Sequence, residues 1–329
     1  MKKSTIVLIV LDILALIGFF LTYGPISYFR NLLVTTAMNT MTHQYLAYIF
    51  YNDEMIKDVM SKNYFVVIDE NTNVDDIVID TKPKDHYDNK YDEQILERTP
   101  GNNDYKIIDL KIGNSTGYLV AIYDPSKVKT ISMEQFGTIG ERIITMCPRE
   151  GGVVCINGGG VLDVNGKASG IPYGPVLKNG KIIWDDGVTG PVIGFNKDDK
   201  LVLVRSNAED ALNKHNLRDA VQFGPFLIVN GKPMKVVGDP WGYSPRVAIA
   251  QRKDGIVLFL VADGENYANG ATLKNMIDVL TKYGAHNAAN LDGGHSTTLI
   301  VKGQLYNNPP ALASRTNGRY VGTGFGLIP

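Results

Sequence analysis

The chain of 329 residues has almost no net charge. Its 33 lysine and arginine residues are balanced by 34 aspartate and glutamate residues, which leaves a formal charge of −1. A nucleic-acid-binding protein needs a surplus of cations to neutralise phosphates, so no nucleic-acid partner is expected. Hydrophobic residues make up 44% of the chain, which excludes a protein that is disordered throughout.

Cysteine and histidine are also scarce. The two cysteines, Cys147 and Cys155, cannot form a zinc site by themselves. They could pair outside the membrane, but Cys155 lies in an apolar run, so buried unpaired thiols remain an open alternative. The five histidines include no His-Glu-x-x-His and no pair four residues apart, which argues against a histidine zinc site. Aspartate and asparagine oxygens still allow a divalent cation, calcium or magnesium, as a cofactor.

Two common catalytic motifs are absent. Asn157-Gly158-Gly159-Gly160 follows an apolar run, but no Lys-Ser/Thr comes after it, so it is not a phosphate-binding P-loop. A structural turn and an anion-binding loop remain equally open for this segment. No Gly-x-Ser-x-Gly is present, and His295 and Ser296 are direct neighbours that rarely face each other, which argues against acyl transfer.

The first residues form a long apolar run. Residues 6–21 contain one charged residue, Asp12, and follow Lys2 and Lys3. The run is too long for a cleavable signal peptide and lacks a small-residue cleavage site; a buried core helix is the other interpretation. Because a bilayer is spanned by about 20 helical residues, we predict a transmembrane signal anchor over residues 1–24. Positive charge stays inside, so we expect a cytoplasmic N-terminus and an extracytoplasmic catalytic domain at the cell membrane.

Two segments of different composition follow the predicted anchor. Residues 25–63 predict a helical stalk, with one uninterrupted helix over residues 28–51, which lifts the catalytic part off the membrane or lies along its surface. Residues 64–104 are acidic and become poor in apolar residues, which predicts a linker or a loosely packed extension.

Recurring turn signals predict hairpins in residues 105–329. Asn-Gly or Asp-Gly separates apolar runs at positions 165, 179, 230 and 254. The predicted strands are 105–112, 117–123 and 153–156, and the predicted helices are 139–146, 208–220 and 272–283. Many hairpins with few helices predict an α+β fold, namely a mixed, hairpin-rich β-sheet core with a few flanking helices, preceded by the transmembrane helix and stalk.

Three charged residues stand at the ends of apolar runs. Asp263 and Asp292 each follow such a run and precede glycine, and a carboxylate at a strand end with room for a ligand is typical of a site. A simple turn is the alternative for each. Arg246 precedes Val-Ala-Ile-Ala, where its charge needs a carboxylate or a phosphate, so a structural ion pair and a functional role both remain open.

Six motifs occur in a fixed order along the chain. They are Ile156-Asn-Gly-Gly-Gly160, Phe223-Gly-Pro-Phe-Leu-Ile-Val-Asn-Gly231, Pro245-Arg-Val-Ala-Ile249, Val261-Ala-Asp-Gly264, Gly270-Ala-Thr-Leu273 and Asn290-Leu-Asp-Gly-Gly-His-Ser-Thr297. The series resembles the phosphodiester glycosidase family over about residues 105–329. An animal member of that family removes N-acetylglucosamine from a sugar phosphodiester, and the bacterial membrane-anchored, exopolysaccharide-related members look most similar. The resemblance implies a mixed α+β domain.

Carried over by position, the resemblance implies one pocket. Its catalytic residues are Arg246, Asp263 and Asp292. Its substrate-binding residues are Asn157, Gly158, Gly159, Gly224, Gly293, Gly294, His295, Ser296, Thr297, Asn308 and Arg319. His295 replaces the glycine or serine that relatives usually carry, a difference that bears on sugar specificity and on activity.

The residue types in this pocket suit cleavage of a glycosyl–phosphate bond. Arg246 is expected to bind the departing phosphate, and Asp292 to act as nucleophile or general base. Asp263 is expected to orient a sugar hydroxyl, a water or a bound cation, and the roles of the two aspartates could be exchanged.

The expected protein is a membrane-anchored extracytoplasmic hydrolase acting on a sugar-1-phosphodiester bond. Its expected substrate is a cell-surface polysaccharide or another sugar-phosphate polymer. The alternatives are a non-catalytic glycan-binding or exopolysaccharide assembly module, and a metal-dependent phosphodiesterase.

Overall fold

The computed structural model describes residues 3–25, 27–38, 43–84, 86–164, 167–264, 270–309 and 317–329. They divide into two compact units: an N-terminal unit of Met1–Phe65 with Val236–Tyr243, and a C-terminal unit of Val66–Lys235 with Ser244–Pro329. The short stretch Val236–Tyr243, which the sequence placed in the glycosidase domain, therefore belongs to the N-terminal unit. The predicted turn at Asn165-Gly166 lies outside the described residues.

The N-terminal unit is mainly helical. It contains α1 (Lys3–Tyr23), α2 (Ser27–Met38), α3 (Tyr45–Phe50) and α4 (Asp53–Ser61), and an antiparallel pair of short strands, β1 (Tyr64–Phe65) and β16 (Val236–Val237). α1 lies where the anchor was predicted. Its segment Lys3–Phe20 has a mean hydropathy of 2.2 and buries none of its residues in the protein, so it is long and apolar enough to cross a membrane.

Residues 28–51 do not form the single helix that was predicted. α2 and α3 are separate helices, and together with α4 they pack around a small shared core. That core consists of Val34, Ala37, Ala47, Tyr51, Ile56 and Val59. The apolar residues were interpreted as one continuous stripe because a stripe and a set of short packed helices have the same spacing along the chain.

The C-terminal unit is built around three antiparallel sheets. The first has the order β15-β14-β19-β17-β18-β3-β2, with β2 (Tyr105–Ile112), β3 (Ser115–Ile122), β14 (Phe226–Val229), β15 (Lys232–Pro233), β17 (Arg246–Arg252), β18 (Val257–Ala262) and β19 (Ala285–Leu291). The second has the order β10-β9-β13-β11-β12, with β9 (Val176–Lys178), β10 (Lys181–Trp184), β11 (Gly190–Asn196), β12 (Leu201–Ser206) and β13 (Leu217–Gln222). The third has the order β21-β20-β6-β23-β4, with β4 (Val128–Ser132), β6 (Val154–Asn157), β20 (Leu299–Val301), β21 (Gln304–Leu305) and β23 (Thr323–Leu327).

Two short ribbons and four helices complete this unit within the described residues. The ribbons pair β5 (Glu141–Arg142) with β22 (Tyr320–Val321) and β7 (Val161–Val164) with β8 (Lys167–Pro172). The helices are α5 (Lys90–Leu96), α6 (Ile143–Arg149), α7 (Ala208–Asn213) and α8 (Leu273–Lys282).

The inner faces of the three sheets share one apolar core. Side chains alternate between the two faces of a strand, so every second residue points inward. The first sheet contributes Phe259, the second Phe195 and the third Phe325, and all three are fully buried. The outer faces are covered by helices, with α8 on the first sheet, α7 on the second and α6 on the third. The predicted α+β fold is confirmed.

Most of the predicted elements are present, and two helices differ. Strands β2, β3 and β6, the hairpin turns at Asn179, Asn230 and Asp254, and α8 lie where they were predicted. The helix predicted over residues 208–220 ends at Asn213, because Asn216 takes a positive φ of 52° and residues 217–222 pair as β13. The helix predicted over residues 139–146 begins at Ile143, since Glu141–Arg142 pair with β22.

Most of the segment predicted as an acidic linker is packed into the C-terminal unit. Ile77 and Ile95 are fully buried, with 1% and 0% of their surface exposed. The Val78 N–H donates to the Lys253 carbonyl at 2.8 Å, and the Tyr123 hydroxyl donates to the Ile95 carbonyl at 2.9 Å. A few well-placed apolar residues are therefore enough to fix a segment whose overall composition is polar.

The two cysteines form a disulfide. Cys147 in α6 is joined to Cys155 in β6, and both side chains are fully buried. The bond fastens α6 to the outer face of the third sheet. The sequence left open a disulfide or two buried unpaired thiols, and the structure contains the disulfide.

Candidate active site

Three neighbouring strands bring the residues predicted to be catalytic to one end of the first sheet. β17 begins at Arg246, β18 ends just before Asp263, and β19 ends just before Asp292. β17 lies between the other two and is antiparallel to both, with Arg246 opposite Ala262. Because adjacent strands are about 5 Å apart, the start of β17 lies beside the ends of β18 and β19.

Arg246 is a buried residue, with 4% of its surface exposed. Its Nε–H donates to the Ala271 carbonyl at 2.6 Å, directly before Thr272, which caps α8. The segment directly before α8 thus fixes the direction of the arginine side chain. A buried guanidinium is a fixed positive charge at this end of the sheet, suited to binding a phosphate or a carboxylate.

Asp263 is almost completely buried, and amide groups bind its carboxylate. Its Oδ1 accepts from Asn307 Nδ2 at 3.0 Å, and its carboxylate accepts from the Asn308 N–H at 3.0 Å. The Asp263 N–H donates to the Thr116 carbonyl, which continues the pairing of β18 with β3. These hydrogen bonds from amides hold the Asp263 carboxyl group in one orientation.

Asp292 is half-buried, and residues predicted for the site hold its backbone in place. Its N–H donates to the Gly158 carbonyl at 3.0 Å, and its carbonyl accepts from Asn157 Nδ2 at 2.6 Å. Asn157 Oδ1 also accepts from the Thr298 N–H at 3.0 Å. Asn157 therefore holds both ends of the loop formed by residues 292–298, which we call the active-site loop.

Gly158 and Gly159 serve packing between strands. The Gly158 N–H donates to the Thr323 carbonyl at 2.9 Å, and the Gly159 N–H donates to Thr323 Oγ1 at 3.0 Å. A Cβ on Gly158 would lie 3.1 Å from Gly324 Cα, and a Cβ on Gly159 would lie 2.9 Å from the Gln222 carbonyl oxygen. The two amides are bonded within the chain, so this loop does not present them as an anion cradle, contrary to one of the two open interpretations.

The active-site loop turns sharply after Asp292. Gly294 has a positive φ of 58° and its N–H donates to the Pro245 carbonyl at 2.8 Å, which places the turn beside Arg246. A Cβ on Gly293 would lie 2.7 Å from the same carbonyl oxygen. The close approach of the loop to the start of β17 thus requires glycine at position 293, and the positive φ favours glycine at position 294. His295, at the tip of the turn, is exposed.

Ser296 and Thr297 follow the turn and are fully buried. The Ser296 Oγ and Thr297 Oγ1 atoms have no hydrogen-bond partner among the described residues. A buried hydroxyl without a partner costs free energy, so such groups call for an explanation. The hydrogen-bonding capacity of both hydroxyl groups is thus unused among the described residues.

The remaining predicted residues lie around the same loop. The Gly224 carbonyl accepts from Asn290 Nδ2 at 3.2 Å, which connects Gly224 to the end of β19. Arg319 is half-buried and follows Gly318, whose Cβ position would lie 3.2 Å from Thr298 Oγ1. Asn308 reaches Asp263 through its backbone N–H.

Comparison with known proteins identifies the family of the chain. A family model described as "Phosphodiester glycosidase" matches residues 150–328, more than half of the chain. The chain belongs to the phosphodiester glycosidase family. The match includes the active-site loop and all three strand ends that meet there.

Individual relatives match smaller parts of their own length. The SPbeta prophage-derived uncharacterized protein YomE of Bacillus subtilis (strain 168) is 31% identical over 198 residues, which is 56% of this chain and 30% of that protein. The human N-acetylglucosamine-1-phosphodiester alpha-N-acetylglucosaminidase is 38% identical over 66 residues, which is 20% of this chain and 13% of that protein. The chain therefore spans less than a third of the length of either relative.

A solved structure shows the same fold. The catalytic domain of zebrafish N-acetylglucosamine-1-phosphodiester alpha-N-acetylglucosaminidase, auto-inhibited by its pro-peptide, superposes with a TM-score of 0.57 at 21% identity. The match covers 69% of this chain and 82% of the zebrafish chain. At this identity the likeness concerns the fold.

Two residues that contact the candidate site were missed in the sequence. Asn307 Nδ2 donates to Asp263 and to the Thr297 carbonyl, while its Oδ1 accepts from the Leu299 N–H at 2.7 Å. Tyr118 lies beside Asp263, and burial followed by that carboxylate raises the pKa of Tyr118 to about 12. Asn307 is adjacent to the predicted Asn308 but belongs to none of the six motifs. Tyr118 has the sequence context of an ordinary strand residue.

The described residues do not gather a conventional metal site. They contain no group of three or more His, Cys, Asp or Glu side chains placed to hold an ion. The calcium or magnesium ion allowed by the sequence stays a prediction, and the reaction steps proposed below use only residues of the chain.

Proposed function

We propose that the chain is a membrane-anchored extracytoplasmic glycosidase that hydrolyses a sugar-1-phosphodiester bond. Its substrate would be a cell-surface polysaccharide or another sugar-phosphate polymer. The observation that supports this proposal best is the meeting of Arg246, Asp263 and Asp292 at the ends of three adjacent strands. Membership of the phosphodiester glycosidase family gives that arrangement its reaction class.

The reaction breaks the bond between the anomeric carbon and the phosphate oxygen. The bonding electron pair leaves with the phosphate, positive charge develops on the sugar ring, and water supplies the new hydroxyl at the anomeric carbon. Phosphate is a good leaving group, so a strong general acid is less necessary than a cation that receives it. Arg246, a fixed guanidinium, is the residue proposed to bind the departing phosphate.

Asp292 is proposed to act at the anomeric carbon. It is the more exposed of the two aspartates, while its backbone is fixed by Asn157 and Gly158. It would either attack the anomeric carbon directly or remove a proton from the attacking water. Asp263, buried and bound by Asn307 and Asn308, would orient these neighbours and supply a fixed negative charge near the developing positive charge.

The proposed location rests on two features of the chain. α1 has the length and hydropathy of a membrane span and follows a basic start, which favours a cytoplasmic N-terminus. The disulfide between Cys147 and Cys155 is typical of proteins that fold in an oxidising compartment. Both features support an extracytoplasmic C-terminal unit.

The test is hydrolysis of a panel of glycosyl-1-phosphodiesters by the full chain in detergent. Wild type is compared with Asp292→Asn and with Asp278→Asn, which changes an exposed aspartate of α8. We expect free sugar from wild type and Asp278→Asn, and a loss of at least about a hundredfold in Asp292→Asn because it removes the acting carboxylate. Full activity of Asp292→Asn would overturn the proposed mechanism.

Labelled water separates a glycosidase from a phosphodiesterase. Hydrolysis in H₂¹⁸O should place the label in the sugar if the C–O bond breaks, and in the phosphate if the P–O bond breaks. Parallel reactions with EDTA show whether a divalent cation assists. Glycan binding without turnover across the panel would instead favour the non-catalytic binding module, with His295 the first position to revert to glycine.

A further inference from the structure

The N-terminal unit contains a cavity of about 300 Å³ that the proposed reaction does not use. Its wall is formed by one face of α2, by Asn63 shortly after α4 and by the loop that follows β16. The polar side chains that line it are Ser27, Tyr28, Asn31, Thr35, Asn63, Asp239 and Tyr243. α1 ends at Tyr23, only a few residues before Ser27, so with α1 across a bilayer the cavity opens at the level of the lipid headgroups.

Backbone turns and hydrogen bonds hold the wall of this cavity in place. Gly238 and Gly242 have positive φ angles of 62° and 56°, which turn the loop back toward α2. Asn63 Oδ1 accepts from the Asp239 N–H at 2.9 Å, and Asn63 Nδ2 donates to the Val59 carbonyl at 2.7 Å. Asn63 therefore fastens the loop to the end of α4, and its own polar atoms are used in doing so.

Thr35 Oγ1 donates to the Asn31 carbonyl at 2.7 Å, and five other polar side chains of the cavity can bond to a ligand. Among the described residues, the side chains of Ser27, Tyr28, Asn31, Asp239 and Tyr243 make no hydrogen bond. Asn31 offers two donors and one acceptor, Asp239 offers acceptors, and the hydroxyl groups offer both. Burial, followed by the nearby Asp239 and Tyr28, raises the pKa of Tyr243, which therefore keeps its proton at neutral pH.

We propose that this cavity binds one neutral hexose ring of a glycan at the membrane surface. Intermingled donors and acceptors match sugar hydroxyls, and the rings of Tyr28 and Tyr243 offer apolar faces to its C–H groups. A volume of about 300 Å³ lies at the small end of the range for ligand pockets, which suits a single ring.

The charge and the hydrogen-bonding groups of the cavity favour a hexose over a phosphate and over a quaternary ammonium group. Asp239 repels a phosphate, and no basic side chain lines the cavity in the described part of the chain to offset it. A quaternary ammonium group would leave the donors of Asn31 unpaired. The site goes beyond the proposed hydrolysis and does not depend on it.

The experiment is photoaffinity labelling of the full chain in lipid nanodiscs. The probes are methyl-hexoside analogues that carry a diazirine, and adducts are mapped by peptide mass spectrometry. We expect adducts within residues 27–35 and 238–243. Asn31→Ala and Asp239→Asn should reduce them by about tenfold, since each removes a hydrogen bond to the ring.

Variants at exposed positions outside the cavity serve as controls for the specificity of labelling. Tyr45→Phe and Glu54→Gln, at exposed positions of α3 and α4, should label like wild type, and melting curves should show that every variant is folded. Adducts found only on the active-site loop, or labelling unchanged in both cavity variants, would overturn the proposal. Displacement by choline but not by free methyl hexosides would assign the cavity to an ammonium headgroup and also overturn it.

The source of the sugar is decided in the same experiment. Labelling is repeated in nanodiscs with and without a monoglucosyl diacylglycerol. Protection of residues 27–35 only in nanodiscs that contain the glycolipid would identify a lipid-linked sugar. Protection by soluble oligosaccharide with equal labelling in both nanodiscs would identify a glycan chain that is not lipid-linked.

Discussion

The two aspartates at the site have the same sequence context and different environments. Asp263 is buried and receives hydrogen bonds from Asn307 and Asn308, whereas Asp292 is half-exposed on a loop fixed through its backbone. A group that must approach a substrate atom needs an exposed position like that of Asp292. A group that supplies a fixed charge can be buried and hydrogen-bonded, as Asp263 is. This difference favours Asp292 as the residue that acts on the sugar.

Asn157 is predicted to affect catalysis by positioning Asp292. Asn157→Ala removes the hydrogen bonds to the Asp292 carbonyl and the Thr298 N–H. Because a misplaced catalytic group can cost about a hundredfold in rate, we expect kcat to fall by about that factor with a much smaller change in KM. Steady-state kinetics measure both constants. Asn213→Ala, on the exposed surface of α7, is the control, and a rise in KM at unchanged kcat would show direct substrate binding instead.

His286 is predicted to make the stability of the protein sensitive to acid. Burial, assisted by the charge of Lys253, lowers the pKa of His286 below 6.5 and outweighs the hydrogen bond to the partly exposed Asp76. The folded state therefore binds this proton less readily than the unfolded chain, so the stabilisation is present above about pH 6.5 and is lost as the pH falls.

The measurement is the melting temperature over a pH series from about 7.5 to 5. We expect His286→Gln to lose less stability on acidification than wild type, and His215→Gln to behave like wild type. Parallel curves for wild type and His286→Gln would show that another group causes the acid sensitivity.

Among the elements of the fold, strands β6 and β23 approach each other so closely at Gly324 that a side chain would not fit there. β23 pairs with β6, and Gly324 lies opposite Asn157. A Cβ on Gly324 would collide with the Ile156 carbonyl oxygen and lie 2.9 Å from Ile143 Cδ1. The glycine therefore lets β23 support the strand that carries Asn157.

Gly324→Ala is predicted to destabilise the C-terminal unit by about 1–3 kcal/mol, because the added methyl group overpacks backbone against backbone. The matched control is Gly322→Ala, two residues away, where the nearest atom to the added Cβ is 3.6 Å distant. We expect that control to stay within about 0.5 kcal/mol of wild type. Urea unfolding followed by circular dichroism measures both, and equal effects would remove the packing argument.

At the scale of the whole molecule, the proposed location of the protein depends on α1. This helix is apolar and unburied over Lys3–Phe20, whereas the C-terminal unit has the buried core of a globular domain. A glycosidase anchored by such a helix would act on substrates within reach of the membrane, which would raise their effective concentration and restrict their identity.

The full chain is predicted to remain with membranes through a carbonate wash and to require detergent for release. Protease added to intact cells or spheroplasts should digest the C-terminal unit, because that unit is proposed to be extracytoplasmic. A fragment that starts at Val66 serves as the control and should remain soluble. Protection of the C-terminal unit until the membrane is opened would contradict the proposed topology.

The sequence by itself determined the elements whose causes are local. The apolar helix α1, the hairpins at Asn179 and Asn230, and α8 with its capping Thr272 each follow from residues a few positions apart. The motif order was also enough to indicate the family, since it is a property of the linear chain. These features depend on local hydrophobic length, turn conformation and capping, which neighbouring residues specify.

Only the tertiary structure decided which residues meet. The hairpin at Asp254 already places Arg246 beside Asp263, but Asp292 joins them only through the pairing of β17 with β19, and Asn307 enters the site because it bonds both Asp263 and the active-site loop. The packing of helices α2, α3 and α4 around their shared core, and the packing of most of the acidic segment into the C-terminal unit, were likewise decided only by the tertiary structure. Such contacts are selected by burial and hydrogen-bond satisfaction over the whole core, so a local pattern does not contain them.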